Sequence, residues 1–277
     1  MATAGQRAGY GALDPSSRVP LYHQIYIVLR NQITSGQLGT GDRVPGEQEL
    51  AEIFDVSRIT AKRALNEMAA AGLVVRERGR GTRVVQRPST PPVTASLEGW
   101  LENISAMGIE TEARVLEFGY VPADDDVAEA LGVAPGSPVQ RSVRVRLLDG
   151  ETMSYLTTWL PEDIGRGIEP DDLGRTALLT LLERAGVQIA SAQQTVTASM
   201  AEPAVAAGLG VDPGAPLLEV RRRVLDVDGR PVEYIRVLYR PDRYSFNMNL
   251  QRVRSDGGNR WATQQARDND TERAEDQ

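Results

Sequence analysis

Residues 56–83 read VSRITAKRALNEMAAAGLVVRERGRGTR, and the reading of this stretch decides the fold. Ser57 is an N-cap residue by type, and Gly72 suits the position just past a helix C-terminus. Between them the period is helical. At 100° per residue Ala61, Ala64, Leu65 and Met68 share the core side, while Ile59, Lys62, Arg63 and Asn66 fall opposite and exposed. Then LVVRERGRGTRVV holds two β-rich runs around Arg78-Gly79-Arg80-Gly81, a hairpin signal with glycines at its tip.

The chain of 277 residues carries a formal charge of −7, yet this region runs the other way. From Ser57 to Arg87 eight basic side chains (Arg58, Lys62, Arg63, Arg76, Arg78, Arg80, Arg83, Arg87) face two acidic ones, Glu67 and Glu77. The window is therefore +6 and the rest of the chain −13.

Working outward, Leu21, Ile25, Val28, Leu29 and Ile33 recur at helical spacing between Pro20 and Ser35, with Gly36 as a stop. GTGDRVP (39–45) is a glycine-punctuated connection, and EQELAEIFD (47–55) a short helix packing Leu50, Ile53 and Phe54. Three helices followed by a basic hairpin is the order of a winged helix-turn-helix. A helix presenting Lys62 and Arg63 can neutralise phosphates or fork onto guanine edges in the major groove, with Thr60 and Asn66 as further polar contacts. The Arg78–Arg80 tip can reach backbone or minor groove, and its glycines permit close approach. Taken singly, each feature is equally well a solvated charged face or a charged turn. Occurring in this order inside an acidic chain, they favour DNA.

Composition bounds the remainder. Hydrophobic content of 41% and charged content of 25% are ordinary for a globular protein, and the length predicts two domains. No apolar run has the length of a membrane span, and MATAGQRAGYGALDPSSR has no apolar centre to make a signal peptide, so a cytoplasmic location is expected, with no membrane association. There is no Cys, which removes disulfides and thiolate chemistry. The one His, His23, is expected to pack at a helix edge. No metal or cofactor is expected, and no paired-carboxylate pattern stands out.

The expected organisation is a disordered N-terminal tail (1–17), a DNA-binding domain (18–86), a linker (87–96) rich in proline and small polar residues, a second domain (97–253) and a disordered polar tail (254–277). The second domain contains an internal repeat: LGVAPGSP (131–138) matches LGVDPGAP (209–216), and each is followed by a β-rich run and an Asp-Gly turn, at 149–150 and 228–229. This predicts a pseudo-symmetric α+β domain with a mainly antiparallel sheet.

Residues 20–85 resemble the DNA-binding domain of the GntR family of bacterial transcriptional regulators. The carriers are PLYHQIYIVLRNQITSGQL and DRVPGEQELAEIFDVSRITAKRALNEMAAAGLVVRERGRGTRV. They follow the family's Pro-Ser-Glu-x-Glu-Leu-Ala, Val-Ser-Arg-x-Thr-x-Arg-x-Ala-Leu and Gly-x-Gly-Thr pattern, with Gly46 where Ser is usual and Gln48 where Arg is frequent. The resemblance implies DNA contacts at Gln48, Ser57, Arg58, Thr60, Lys62 and Arg63, with Arg78, Gly79 and Arg80 from the wing. It also implies a homodimer on a palindromic double-stranded operator, which agrees with the few base pairs one short helix can read.

Residues from about 97 to 252 resemble the effector-binding domain of the HutC-like branch, whose fold is shared with chorismate lyase. The carriers are the two Leu-Gly-Val-x-Pro-Gly-x-Pro segments, RVRLLDGE and DGRPVEYIRVLYRPDRYSF. A ligand-gated regulator, more often a repressor, is implied. Strand alternation groups Ser142, Arg144 and Arg146 on one face, where two arginines suit a carboxylate or phosphate. The same alternation groups Glu233, Ile235, Val237 and Tyr239, whose acid and phenol could hold a hydroxyl or amine. Alternatively the arginines pair with acids in a solvent-exposed lattice. Arg240 and Arg243, flanking Pro241-Asp242, read as a structural turn. Leu156 stands where amino-sugar-phosphate sensors tend to carry Glu, and Ala177-Leu178-Leu179 where they tend to carry Ser-Leu-Tyr. A small anionic, partly apolar effector such as a carboxylic acid is therefore expected. Two rival classes remain: a lyase-like enzyme fused to a DNA-binding module, and a DNA-binding protein whose second domain only dimerises.

Overall fold

The computed structural model describes residues 10–77, 81–85, 93–95, 111–246, 250–255 and 258–263. The chain divides into two compact units, Met1–Ser89 and Thr90–Gln277.

In the first unit α1 (Leu21–Thr34), α2 (Glu47–Phe54) and α3 (Arg58–Ala70) surround one core. The positions that periodicity assigns to the core side of α3, Ala61, Ala64, Leu65 and Met68, are all buried, and they pack with Ile25, Leu29, Leu50 and Phe54. The Ser57 hydroxyl accepts the Thr60 amide at 3.1 Å, which caps α3, and Gly72 takes φ +66° beyond its end. At α2 the cap is half made. Gly46 offers no side-chain acceptor, but the Glu49 carboxylate accepts the Gly46 amide at 2.7 Å.

The wing is a three-stranded sheet in the order β1 (Arg43–Val44), β3 (Gly81–Val84), β2 (Val74–Glu77). Two expectations change here. The 39–45 connection contributes β1, paired antiparallel with β3 through Arg43↔Arg83 and Val44↔Thr82. The second concerns the expected N-terminal tail (1–17), whose described part packs on the core. Tyr10 and Leu13 pack against the core, with the Tyr10 ring edge-on to Phe54 at 5.7 Å, because two apolar side chains in a small-residue segment suffice to dock it.

The second unit is built on a six-stranded antiparallel sheet, β5-β6-β7-β10-β9-β8. Its strands are β5 (Glu112–Pro122), β6 (Pro138–Leu148), β7 (Glu151–Pro161), β8 (Ile189–Met200), β9 (Pro216–Asp226) and β10 (Pro231–Tyr239). The sequence repeat becomes a structural one. In the first copy α4 (Asp125–Leu131) leads through Gly132 and Gly136 into β6, and in the second α8 (Pro203–Leu209) leads through Gly210 and Gly214 into β9. Both copies make the same turn bonds: Gly136 N–H to Ala123 O at 2.8 Å and Gly214 N–H to Ala201 O at 2.7 Å. The repeat axis sets β7 beside β10 at the centre of the sheet.

One face is covered by α4 and α8, which bury Val139, Val143, Val145, Tyr155 and Leu238. On the other face α5 (Glu162–Gly165), α6 (Pro170–Arg175) and α7 (Leu178–Arg184) cover one end through Ile168, Leu173, Leu178 and Leu182. The rest of that face carries Leu156, Val220, Ile235, Val237, Tyr239 and Tyr244.

Part of the expected linker belongs to this unit. β4 (Val93–Ala95) pairs parallel with β11 (Tyr244–Phe246). The expected polar tail also begins as structure. β12 (Leu250–Ser255) pairs antiparallel with β13 (Gly258–Thr263).

Candidate DNA interface and effector site

On the first unit the N-terminal end of α2, the start of α3 and the sheet border a cleft of about 800 Å³, lined by Gln48, Arg58, Arg76 and Glu47 among others. Arg58 and Arg76 both reach the Glu47 carboxylate, at 3.3 and 2.5 Å, and Arg76 also donates to the Asn66 side chain. The Arg76 hydrogen bond, outweighing partial burial and helped by Arg58, holds Glu47 below the usual carboxylate range. Glu47 is thus one of four acids, with Glu49, Glu52 and Glu77, in a cleft that also carries Arg43, Arg58 and Arg76. Its carboxylate orients Arg58, which remains 72% exposed.

Further along α3, Lys62 and Arg63 are exposed while Ser57 and Thr60 share the capping hydrogen bonds. Arg63 does not extend freely. Its guanidinium lies 3.8 Å from the Tyr22 ring centroid and donates to Tyr22 Oη at 3.0 Å. Glu67 stands 3.9 Å from Arg63 on one side and 3.4 Å from His23 Nδ1 on the other. His23 stacks on Tyr26 at 5.3 Å, so the lone histidine is a helix-edge residue in an aromatic cluster. Arg78, Gly79 and Arg80 lie outside the described residues. Tyr22, Glu47 and Arg76 are the members that sequence reasoning passed over. Tyr22 sits within a helical period that explains it as packing, and the Glu47–Arg76 pair joins residues far apart in sequence.

On the second unit, cross-strand register brings the five predicted residues to one face of the sheet. One row reads Ser142–Thr158–Ile235–Arg222, the next Arg144–Leu156–Val237–Val220, and the third Arg146–Ser154–Tyr239–Leu218. Glu233 lies beyond the first row, opposite Val224. The exposed-lattice alternative does not hold for Arg144, which is 3% exposed, as is Glu233.

Arg144 donates one N–H to Thr158 Oγ1 at 2.8 Å, while its buried Nε and the buried Ser154 Oγ have no hydrogen-bond partner among the described residues. Burial, with Arg146 adding to it, lowers the Arg144 guanidinium to about 10 against the attraction of Glu233. Arg146 is also lowered by burial, and it donates to Thr111 Oγ1 at 2.6 Å. Burial pushes the Glu233 carboxyl up, although Arg222 and Arg144 pull it down. Burial likewise raises the Tyr239 phenol, whose ring stacks on Tyr244 at 3.9 Å.

Arg222 is the member missed in the sequence. Its signal was present, because the middle residue of Arg221-Arg222-Arg223 shares its parity with Leu218, Val220 and Val224. Arg240 pairs with Asp242 at 2.8 Å and reaches Thr152 O and Leu209 O, the structural turn its sequence indicates. The face therefore offers converging cations, buried hydroxyls and an apolar strip. It can hold an anion with an apolar body. Among the described residues no group of three His, Asp or Glu side chains is placed to hold a metal ion.

Comparison with known proteins falls on the same two units. Residues 21–84 match the family described as bacterial regulatory proteins, gntR family, and residues 106–245 match the UTRA domain. The HTH-type transcriptional repressor NagR of Bacillus subtilis is 28% identical over 242 residues, covering 87% of this chain and 99% of that protein. The HTH-type transcriptional regulator Rv0792c of Mycobacterium tuberculosis is 30% identical over 239 residues, covering 85% of this chain and 87% of that one. The crystal structure of PhnF from Mycobacterium smegmatis superposes with a TM-score of 0.50 at 29% identity, over 80% of this chain and 96% of that one.

Proposed function

The chain belongs to the GntR family of transcriptional regulators, in its HutC-type branch with a UTRA domain, and from that premise we propose that it is a dimeric repressor released from a palindromic operator by a small carboxylate-bearing metabolite. Relatives named as repressors support the sign of regulation. The proposed DNA contacts are Gln48, Ser57, Arg58, Thr60, Lys62 and Arg63, with the 78–80 tip completing the wing, and the place of action is the cytoplasm, where bacterial DNA lies.

One observation carries the ligand class. A guanidinium buried to 3% exposure with an unpartnered Nε costs stability unless an acceptor arrives, and an oxyanion, carboxylate or phosphate, is the acceptor that matches its fork. Arg146 and Ser154 supply further donors in the next row, and Arg222 a third cation beside Glu233. Leu156, Val220, Ile235 and Val237 make the floor apolar, which suits an aliphatic or aromatic body better than a sugar phosphate. A ligand that prefers one arrangement of the dimer weakens DNA binding by the same factor that DNA weakens the ligand, typically about 5- to 150-fold.

The test is thermal-shift screening of the full chain against small carboxylates and phosphorylated metabolites, followed by anisotropy on DNA from upstream of its own gene. A carboxylate that raises Tm and weakens operator binding, with both effects lost in Arg144→Gln, is the expected result. A library that leaves Tm unchanged would favour a second domain that only dimerises.

A further inference from the structure

Helix α3 carries one side chain that neither the core nor the contacts above account for. Ile59 is 80% exposed, and among the described residues no large apolar side chain is more so. It lies in the first turn, between Arg58 and Thr60 and just after the Ser57 cap. At about 100° per residue it points roughly 170° away from the centre of the buried row Ala61, Ala64, Leu65 and Met68. Lys62, Arg63 and Asn66, all exposed, fall within about 60° on either side of it. Folding does not explain an isoleucine here. A β-branched residue is a weaker helix former than Lys, Gln or Glu, and water favours the polar alternatives.

The polar side chains around Ile59 are drawn aside in three directions. Arg58 turns to Glu47 on α2 at 3.3 Å, Arg63 donates to Tyr22 on α1 at 3.0 Å, and Asn66 accepts from Arg76 on β2. Ile59 stands between them and stays uncovered.

We propose that Ile59 reads the 5-methyl group of a thymine in each operator half-site, a specificity contact made by apolar burial rather than by hydrogen bonding. The proposal rests on the DNA-binding reading above and adds a residue to it. The first-turn residues of a helix in the major groove are those that meet base edges, and the thymine methyl is the apolar group that a base pair exposes there. Cytosine in its place would lack the methyl and present an amino donor that isoleucine cannot satisfy.

The surroundings favour DNA over an apolar protein surface. A protein groove seated on Ile59 would desolvate Arg58, Lys62 and Arg63 with it, which is costly without paired charges. On a duplex the same cations lie against phosphates.

The test changes the methyl alone. On a duplex operator selected by the full chain from random DNA, thymines are replaced by deoxyuridine, one symmetric pair of half-site positions at a time, and affinity is read by anisotropy. Burying one methyl is worth about fourfold, so the wild-type chain is expected to lose about 15-fold at one such pair. Ile59→Ser is expected to keep its Tm within a few degrees, because the site is exposed, and to bind the thymine and deoxyuridine forms of that pair alike. Its salt slope should match the wild type, since no charge changes. Ile59→Val, which keeps a branched apolar tip, is expected to retain the discrimination. Wild-type and Ile59→Ser chains that respond identically to every deoxyuridine pair would overturn the proposal, while a selected operator bound with a steep salt slope would leave the DNA-binding reading standing. A selection that yields no common sequence would overturn both.

Discussion

At the scale of single residues, two buried acids on opposite faces of one sheet behave oppositely. Glu233 is raised by burial, which outweighs the attraction of Arg222 and Arg144. Glu219 is equally buried at 3%, yet its carboxyl is held low. Burial pushes it up, and hydrogen bonds from Arg236 and Arg221, at 3.0 and 2.5 Å, more than offset that push. A depressed carboxyl binds fewer protons folded than unfolded, so its contribution is present above the ordinary carboxylate pKa and is lost as pH falls through the folded value. Glu219→Gln is expected to cost about 1.5–3 kcal/mol at pH 7, toward the lower end because Arg221 is half exposed. The gap to wild type should close as urea melts are taken to more acid pH. A gap that stays constant down to pH 3 would show that the charge is not what the two arginines hold.

At the scale of elements, the repeated helix–turn–strand unit fits closely in its second copy. Gly208 in α8 faces the Tyr155 ring, and a Cβ added there would meet ring carbons at 2.9 Å. Replacing a helical glycine by alanine gains up to about 1 kcal/mol of helix propensity. Here the overlap is with a flat ring wedged among Val145, Ala206 and Leu238, and overpacking of this kind costs about 1–3 kcal/mol. Gly208→Ala is therefore expected to lower Tm, whereas propensity alone predicts a rise, and differential scanning calorimetry separates the two signs. Local sequence displayed α3 and the two Pro-Gly turns, because period and turn chemistry act over a few residues. It did not display β1 or the β4–β11 pair, two or three residues long, whose only support is a partner distant in the chain.

At the scale of the whole molecule, the +6 window lies inside a unit whose core closes on itself. The cluster around Ile25, Leu29, Leu50, Leu65 and Met68 draws every member from residues 10–84. A fragment of residues 1–89 is expected to melt cooperatively and to bind operator DNA more weakly than the full chain by about 10²-fold, with about half its salt slope, since one head neutralises half the phosphates. Circular dichroism and anisotropy over a salt series check this, and an unfolded fragment would mean that the core depends on the second unit.

What the sequence determined by itself was whatever is written in neighbouring residues: the helical core of the DNA-binding unit, the concentration of positive charge, the duplicated turns and the parity that sets Arg144 with Arg146 and Glu233 with Tyr239. Parity says which side chains share a face of one strand. It does not say which strand comes next. Only the tertiary structure decided that β7 and β10 meet at the centre, which lays Leu156 and Val237 between Arg144 and Val220. Only it revealed that Arg144 is buried rather than solvated and that Arg222 joins the same face. Those facts depend on pairing between segments far apart in the chain, where the free energy comes from burial and register rather than from any local preference.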